Sequence, residues 1–396
     1  MVGDNIEAIK RREMLRSEID ANSIADLMST DFETVGPDTP LSDVVAKMRA
    51  KNLHEIPVVN GKKLLGVVSF GSIIRKKTAV IGQKAKNVME IPPSIKSSTP
   101  VTEVAETFIS TGFRNLPVVK GGQVIGVVSR GDIVKLIKDI KEIRSLPVKS
   151  VMTTNVQAVN ENDKLKDALE VMRKLDIRTV PVVDGGFKLT GIIGIRDIIN
   201  YSWSGPGIKG IRKGEYKAES NPVDITVKSL MHDGPLTVTP DATLGEAVKL
   251  MSSKKISTLP VVEKDVLRGI VTKYDMLEMI ASVRKRDMVY MQISGLEEED
   301  RLSLDVMERE IQMGLQKIGK ITRPMLFTMH VTKYNNSGNR AKYSLNGRLH
   351  TEYSTYNVSS VDWNLMKATI DMMAKFERLV TETKEERLEK KRKGPR

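Results

Sequence analysis

Apolar residues return along this chain in one compound pattern, four times over. The copies open as DLMSTDFETVGPDTPLSDVVAKM from Asp26, NVMEIPPSIKSSTPVTEVAETF from Asn87, SVMTTNVQAVNENDKLKDALEVM from Ser150 and SLMHDGPLTVTPDATLGEAVKLM from Ser229. The V/L-x-x-A/V-x-x-x-M part of each places apolar side chains at helical spacing, behind Ser, Thr or Asp residues suited to cap a helix. A proline-centred run follows: HEIPVV, RNLPVV, RTVPVV and STLPVV, with Pro57, Pro117, Pro181 and Pro260. A glycine-led run and a last helix close the copy: GVVSFGSII, GVVSRGDIV, GIIGIRDII and GIVTKYDML, with Gly66, Gly126, Gly191 and Gly269. Both runs are short, continuously apolar and rich in β-branched residues, which predicts strands buried on both faces. One unit reads β-α-β-β-α over about 60 residues. It cannot bury its faces alone; two copies packed together can.

After Ala281 the pattern changes. A short strand (MVYMQIS) and a helix from about Asp300 to Ile318 precede three strand-like stretches, MLFTMHVTKY, AKYSLNGRLHTE and a short TEYSTYN that overlaps its predecessor. A last helix runs from about Val361 into a charged tail. Met325, Phe327, Met329 and Val331 alternate with Leu326, Thr328, His330 and Thr332, the period of a half-buried sheet. NNSG is a hairpin turn signal. The predicted order is β-α-β-β-β-α, with two helices on one face of an antiparallel sheet. The expected fold class is thus α/β and α+β. Expected divisions are an N-terminal helical extension at 1–22, a first pair of repeats at 23–140, a second at 147–283 with a basic loop at 201–222, a sheet domain at 284–380 and a basic tail at 381–396.

The four repeats resemble CBS domains, which pair into Bateman modules, over about two thirds of the chain. That resemblance implies ligand clefts between paired repeats. The Asp of a Ser/Thr-x-x-Asp motif would hold ribose hydroxyls there, while the Ser/Thr hydroxyl and backbone N–H groups hold phosphate. A carboxylate accepts two hydroxyl donors, and a helix N-terminus favours an anion. Carried over by position, repeat two has Ser129 and Asp132, and repeat four has Thr272 and Asp275. Repeat one has Ser69 but Ser72 in place of Asp; repeat three keeps Asp197 but has Gly194 in place of Ser/Thr. Each pair then holds one complete and one degraded half-site, with AMP, ADP or ATP as the regulatory ligand. Adenine would sit near Val156, Ala158, Thr237 and Val238, with Arg178 near a phosphate. The same Ser, Thr and Asp residues suit helix capping, which accounts for the pattern equally well.

The chain has no cysteine, which removes disulfides, thiolate chemistry and Cys-ligated zinc and fits a reducing cytoplasm. No run approaches the roughly 20 apolar residues of a membrane helix. The first residues carry charges where a signal peptide needs an apolar stretch, so a soluble, cytoplasmic protein is expected. His54, His232, His330 and His350 have no metal-ligand spacing, and no triad, Walker or kinase motif is present. Gly205, Gly207 and Gly210 satisfy G-x-G-x-x-G formally, but Pro206 interrupts them and no strand leads in; the segment reads as a basic loop with Lys209, Arg212 and Lys213. No catalytic residue, metal site or enzymatic activity is expected.

Charge sharpens the C-terminal reading. The net charge is +13, which favours polyanions or serves solubility alone. From Ile311 to Ile370 eight basic residues (Lys317, Lys320, Arg323, Lys333, Arg340, Lys342, Arg348, Lys367) face two acids, Glu352 and Asp362. The tail adds Lys390, Lys391, Arg392 and Lys393. With Tyr334, Tyr343, Tyr353 and Tyr356 interleaved, these residues suit phosphate contact and base stacking, although the tyrosines suit sheet packing too. The element order, with Ile370, Asp371, Lys375, Phe376, Glu377 and Arg378 on the last helix, resembles the ribosome hibernation-promoting factors over about a quarter of the chain. That resemblance implies an archaeal-type factor that binds the small ribosomal subunit and its rRNA through these residues and silences translation. The CBS pairs would sense nucleotide and support a homodimer. The alternative is a CBS regulatory subunit that binds adenine nucleotides and controls a partner enzyme or transporter.

Overall fold

The computed structural model describes residues 2–75, 83–154, 156–174, 177–195, 197–198, 225–284, 289–296, 300, 303–336, 340–352 and 354–393. The basic loop expected at 201–222, with its glycines, lies outside them. The fold is α/β in the four repeats and α+β beyond them.

Each proline-centred run turns back on its glycine-led neighbour as an antiparallel hairpin. β1 (Glu55–Asn60) pairs with β2 (Lys63–Ser69), and β3 (Asn115–Lys120) with β4 (Gln123–Ser129). β5 (Val159–Asn160) opens repeat three, where β6 (Thr179–Val183) pairs with β7 (Leu189–Gly194). β8 (His232–Asp233) adds to β7, and β9 (Thr258–Glu263) pairs with β10 (Val266–Thr272). The opening strand expected in every unit is otherwise a single bridge: Val35 to Val58, Ile95 to Val118 and Val238 to Val261. Pro37, Pro93 and Pro240 lie within two residues of these bridges and cannot donate to a longer ladder.

Paired repeats exchange their openings. Ser29 of repeat one bridges Val127 of repeat two, while Glu90 of repeat two bridges Val67 of repeat one; Thr153 of repeat three bridges Ile270 of repeat four. The exchange explains the strand glycines. A Cβ on Gly126 would meet Met28, on Gly66 Met89, on Gly191 Met231 and on Gly269 Met152, each methionine coming from the partner's opening. At Gly269 the Cβ would also lie 2.7 Å from the carbonyl oxygen of Thr153, which is backbone and cannot swing away. Gly269→Ala is therefore expected to lower the stability of the second pair by about 1–3 kcal/mol, read as a fall in its urea midpoint.

The largest core is shared between pairs rather than within one. Phe108, Ile133 and Ile137 of repeat two pack with Met251, Met276 and Ile280 of repeat four, and Ile19 and Ile24 join them from the N-terminal side. Repeats one and three keep smaller cores of their own. The helix Val2–Asp20 also supplies a cap. The helix Val101–Thr111 begins behind Pro100, which offers no side-chain acceptor; the Asp20 carboxylate instead accepts from the Thr102 backbone N–H (2.9 Å) and hydroxyl (3.0 Å). Repeat one likewise has Pro40 rather than Ser, Thr or Asp at this cap.

The C-terminal sheet runs β11 (Tyr290–Ser294), β12 (Pro324–Asn336), β13 (Arg340–Thr351) and β14 (Thr355–Asp362), in that spatial order. β11 is parallel to β12, reached through the helix Leu304–Gly319, so the sheet is mixed rather than wholly antiparallel. The last helix begins at Leu365, not Val361. Val361 pairs with Ser344 in the sheet, and the Asn364 side chain accepts from the Lys367 N–H to start the helix. Phe327, Met329, Val331, Leu345 and Leu349 face the two helices, with Phe376 edge-on to Phe327 at 5.8 Å. The opposite face carries Thr328, Arg348 and Asn357 in register; Arg348 is buried there, Thr328 half-buried and Asn357 on the edge strand exposed.

Candidate functional site

The last helix of each repeat begins where its glycine-led strand ends, and that junction decides what the Ser/Thr-x-x-Asp residues do. In repeat two the Ser129 hydroxyl accepts from the Asp132 N–H, and Asp132 Oδ2 accepts from the Ser129 N–H and hydroxyl. Thr272 and Asp275 form the same capping box in repeat four. Capping engages Oδ2 and leaves Oδ1 for another partner. Each repeat treats that second oxygen differently. In repeat two it takes Lys135 at 2.8 Å; in repeat three Asp197 Oδ2 caps the Gly194 N–H while Oδ1 meets His232 at 3.1 Å. In repeat four Oδ1 takes Arg348 at 2.6 Å. In repeat one the buried Ser72 hydroxyl accepts from the Ser69 N–H at 3.0 Å and replaces the cap, but brings no second oxygen. Capping and ligand binding are thus compatible uses of one aspartate.

The first pair holds a cleft of about 170 Å³ lined by Asp31, Glu33, Glu55, Asn115, Ser129 and Asp132 among others. Ser29 and Phe32 come to it from repeat one's exchanged opening, so both repeats build it. Glu55 is 6% exposed and accepts from the Asn115 side chain (2.7 Å) and the Arg114 N–H (3.2 Å). Burial pushes its carboxyl above the ordinary value, against the opposing pull of Arg114, Asn115 and Arg178. Arg178, expected near a phosphate, therefore acts across the boundary between pairs, on repeat one. Lys273 of repeat four also reaches here: its Nζ lies over Gly131, and burial, Lys135 and Arg114 lower its pKa while Asp132 raises it. Asp132, which lines the cleft, thus has Lys135 on its Oδ1 and Lys273 nearby, while Arg114 acts on Glu55 and Lys273.

The second pair is built alike but filled. Arg348 of β13 enters from the C-terminal sheet. Its Nη1 donates to Asp275 Oδ1 and to Glu278 Oε2, its Nη2 to the Thr153 hydroxyl at 2.6 Å and its Nε to Asn357 at 2.9 Å. Thr328 donates to Glu278 Oε1 at 2.9 Å, and the Asn357 amide donates to the Met152 carbonyl at 3.3 Å. Asp275, Glu278, Arg348 and His350 are all buried. Burial opposes ionisation of Glu278, yet Arg348 beside it holds the carboxyl down at about 2. Burial likewise opposes the guanidinium charge, and Glu278 and Asp275 raise it nonetheless. Burial lowers His350 from 6.5, so its imidazole is neutral beside Glu278, 3.8 Å away.

These shifts fix a pH dependence. Glu278 is depressed in the docked state, so its contribution is present above the free carboxylate range of about 4.3 and is lost as pH falls towards 2. His350 must charge on release, which adds to the loss below its ordinary value of 6.5. Acid titration followed by small-angle scattering should show the C-terminal domain leaving within this window, and Glu278→Gln should shrink the pH-dependent step.

The remaining expected contacts scatter. Val156 and Ala158 are half-buried on the approach to β5. Thr237 and Val238 line a separate open hollow of about 650 Å³ with Asp241, Glu246 and Lys249, on repeat four's own opening helix and away from Asp275. Among the described residues no group of three or more His, Asp or Glu could hold a metal, and no helix is long and apolar enough to cross a membrane.

The CBS domain family matches residues 24–78, 85–139, 148–204 and 227–282, more than half of the chain. The chain belongs to the CBS domain family. Protein MJ1404 of Methanocaldococcus jannaschii is 27% identical to this CBS protein over 305 residues, 75% of this chain and 72% of that one. The gamma subunit of the 5'-AMP-activated protein kinase of Dictyostelium discoideum is 23% identical over 222 residues, 49% of this chain and 38% of that protein. The crystal structure of protein MJ1225 of Methanocaldococcus jannaschii, proposed as an archaeal homologue of that gamma subunit, superposes with a TM-score of 0.54 at 20% identity. It covers 66% of this chain and all of that one, a likeness of fold. The family match ends at residue 282, and the C-terminal sheet lies beyond it.

On this CBS protein the expected RNA surface is redistributed. Arg348 is a correction: it is buried in the second cleft because two carboxylates there require a cation. Lys333 is also inside, 9% exposed at its side chain, paired with Asp300 at 3.1 Å and lying over Tyr343. Tyr343 donates to Asp300, and Tyr343 and Tyr356 pack on the sheet's core face rather than standing free for stacking. Lys375 pairs with Asp371, Arg378 with Glu382, and Lys342 lies over Trp363. Lys317, Lys320, Arg323 and Lys367 are exposed. The side chains of Arg340, Tyr353, Lys390, Lys391, Arg392 and Lys393 lie outside the described residues.

Proposed function

We propose that this CBS protein is a regulatory sensor, not an enzyme, that takes an adenine nucleotide in the cleft of its first pair. The carrying observation is that Ser129 and Asp132 line one cleft, with Asp132 Oδ1 outside the cap and paired with exposed Lys135, and with Lys273 close by. A carboxylate suits ribose hydroxyls, and clustered cations beside a helix start suit phosphate. The relation to the gamma subunit of a kinase named for activation by 5'-AMP supports adenine as the base. Occupancy would then bias a partner protein through the C-terminal domain. Calorimetric titration of the full chain with AMP, ADP and ATP tests this reading. One equivalent of at least one nucleotide is expected, and silence with all three would overturn it.

A second reading keeps the C-terminal domain as a contact for small-subunit rRNA that silences translation. Its support is the exposed group Lys317, Lys320 and Arg323 where the helix Leu304–Gly319 runs into β12. It predicts salt-sensitive co-sedimentation with small ribosomal subunits, weakened when these three residues are replaced by glutamine. Sedimentation indifferent to both salt and the substitutions would remove it.

A further inference from the structure

We propose that the second cleft is a seat for the chain's own C-terminal domain, latched by Arg348, so that docking of this domain and entry of a hydroxyl-bearing ligand onto Asp275 exclude each other. The latch rests on side chains from three places. Thr153 comes from repeat three, Asp275 and Glu278 from repeat four, and Arg348, Thr328 and Asn357 from the sheet.

A difference between two repeats shows why an outside cation is required. Three positions after the motif aspartate, repeat two has Lys135 and repeat four has Glu278. Asp132 is neutralised by its own helix, through a lysine whose side chain is 54% exposed and free to move aside for a ligand. Asp275 has instead a second carboxylate beside it, and both are buried. Two adjacent buried carboxylates do not stay ionised without a cation among them. Arg348, 73 positions away in the chain, is that cation. It occupies the outward oxygen that ribose hydroxyls would need, and it leaves only if the sheet leaves. The CBS pairs therefore differ in kind: one cleft is open to solvent, and the other is closed by the chain itself. A ligand of the second cleft must select the undocked form, and so promotes release.

The inference does not depend on which ligand the first cleft takes, and its test uses none. The chain has no cysteine, so two introduced ones carry spin labels at known places. Exposed Lys254 of repeat four and Gln312 of the C-terminal domain are replaced by cysteine in the full chain. Electron–electron distance measurement should give one narrow distribution in this background. Arg348→Met and, separately, Glu278→Lys should each broaden it and move it to longer distance. Glu278→Lys recreates the arrangement that repeat two already folds with, so circular dichroism should show its secondary structure retained. A narrow, unshifted distribution in both variants would overturn the proposal.

Discussion

Arg348→Ala is expected to weaken the seating of the C-terminal domain by about 3–5 kcal/mol, the cost of leaving a buried ion pair without one partner. Asp275 and Glu278 would remain buried with Thr153, Thr328, the helix start and the neutral His350 imidazole around them but no cation. The effect belongs to the stranded charges rather than to the lost contact. The triple variant Arg348→Met, Asp275→Asn, Glu278→Gln removes the charges together and should recover most of the loss. Urea-induced release of the domain, followed by small-angle scattering, measures both. Equal loss in the single and triple variants would show that shape at this interface matters more than charge.

Asp132→Asn is expected to weaken nucleotide binding by about 100-fold, because the amide's one oxygen stays in the helix cap and its outward NH2 cannot accept from the ribose hydroxyls, losing two charge-assisted hydrogen bonds at about 1.5 kcal/mol each. Asparagine keeps an acceptor for the Ser129 N–H, so the helix cap survives and the urea midpoint should hold. The same change at Asp197, whose outward oxygen meets His232, should leave the first cleft's affinity unaltered. Titration calorimetry of the two variants separates ligand contact from capping. A shared loss of stability with unchanged affinity would assign both aspartates to capping alone.

The repeats were legible because their spacing is a property of single units. Hairpins and final helices fall where Pro57, Pro117, Pro181 and Pro260 and the strand glycines place them. The exchange between partners is written in the sequence too. Every opening carries a methionine (Met28, Met89, Met152, Met231), and every second strand carries the glycine it crosses. The shared core of repeats two and four was not legible, since helical periodicity tells how wide an apolar face is but not which neighbour covers it.

The C-terminal domain misled for a physical reason. Alternation along β12 separates two faces correctly, and the polar one is ordinarily the wet one. Here Thr328 on that face donates to Glu278, and Arg348 and His350 beside it are buried against repeat four. Counting Arg348 among surface cations was sound for a strand alone and wrong for a strand against two carboxylates. The available hint was Glu278 standing where repeat two has Lys135, a charge inversion that Lys273, the cation of the same motif, does not answer because it reaches over Gly131 of repeat two.

The most direct measurement is the number of nucleotide equivalents bound per chain, by equilibrium dialysis, in the unaltered protein and in Glu278→Lys. One equivalent in the former and two in the latter is the predicted result, because the substitution expels Arg348 and opens a cleft that already contains Thr272 and Asp275. Two equal sites in the unaltered protein would contradict it.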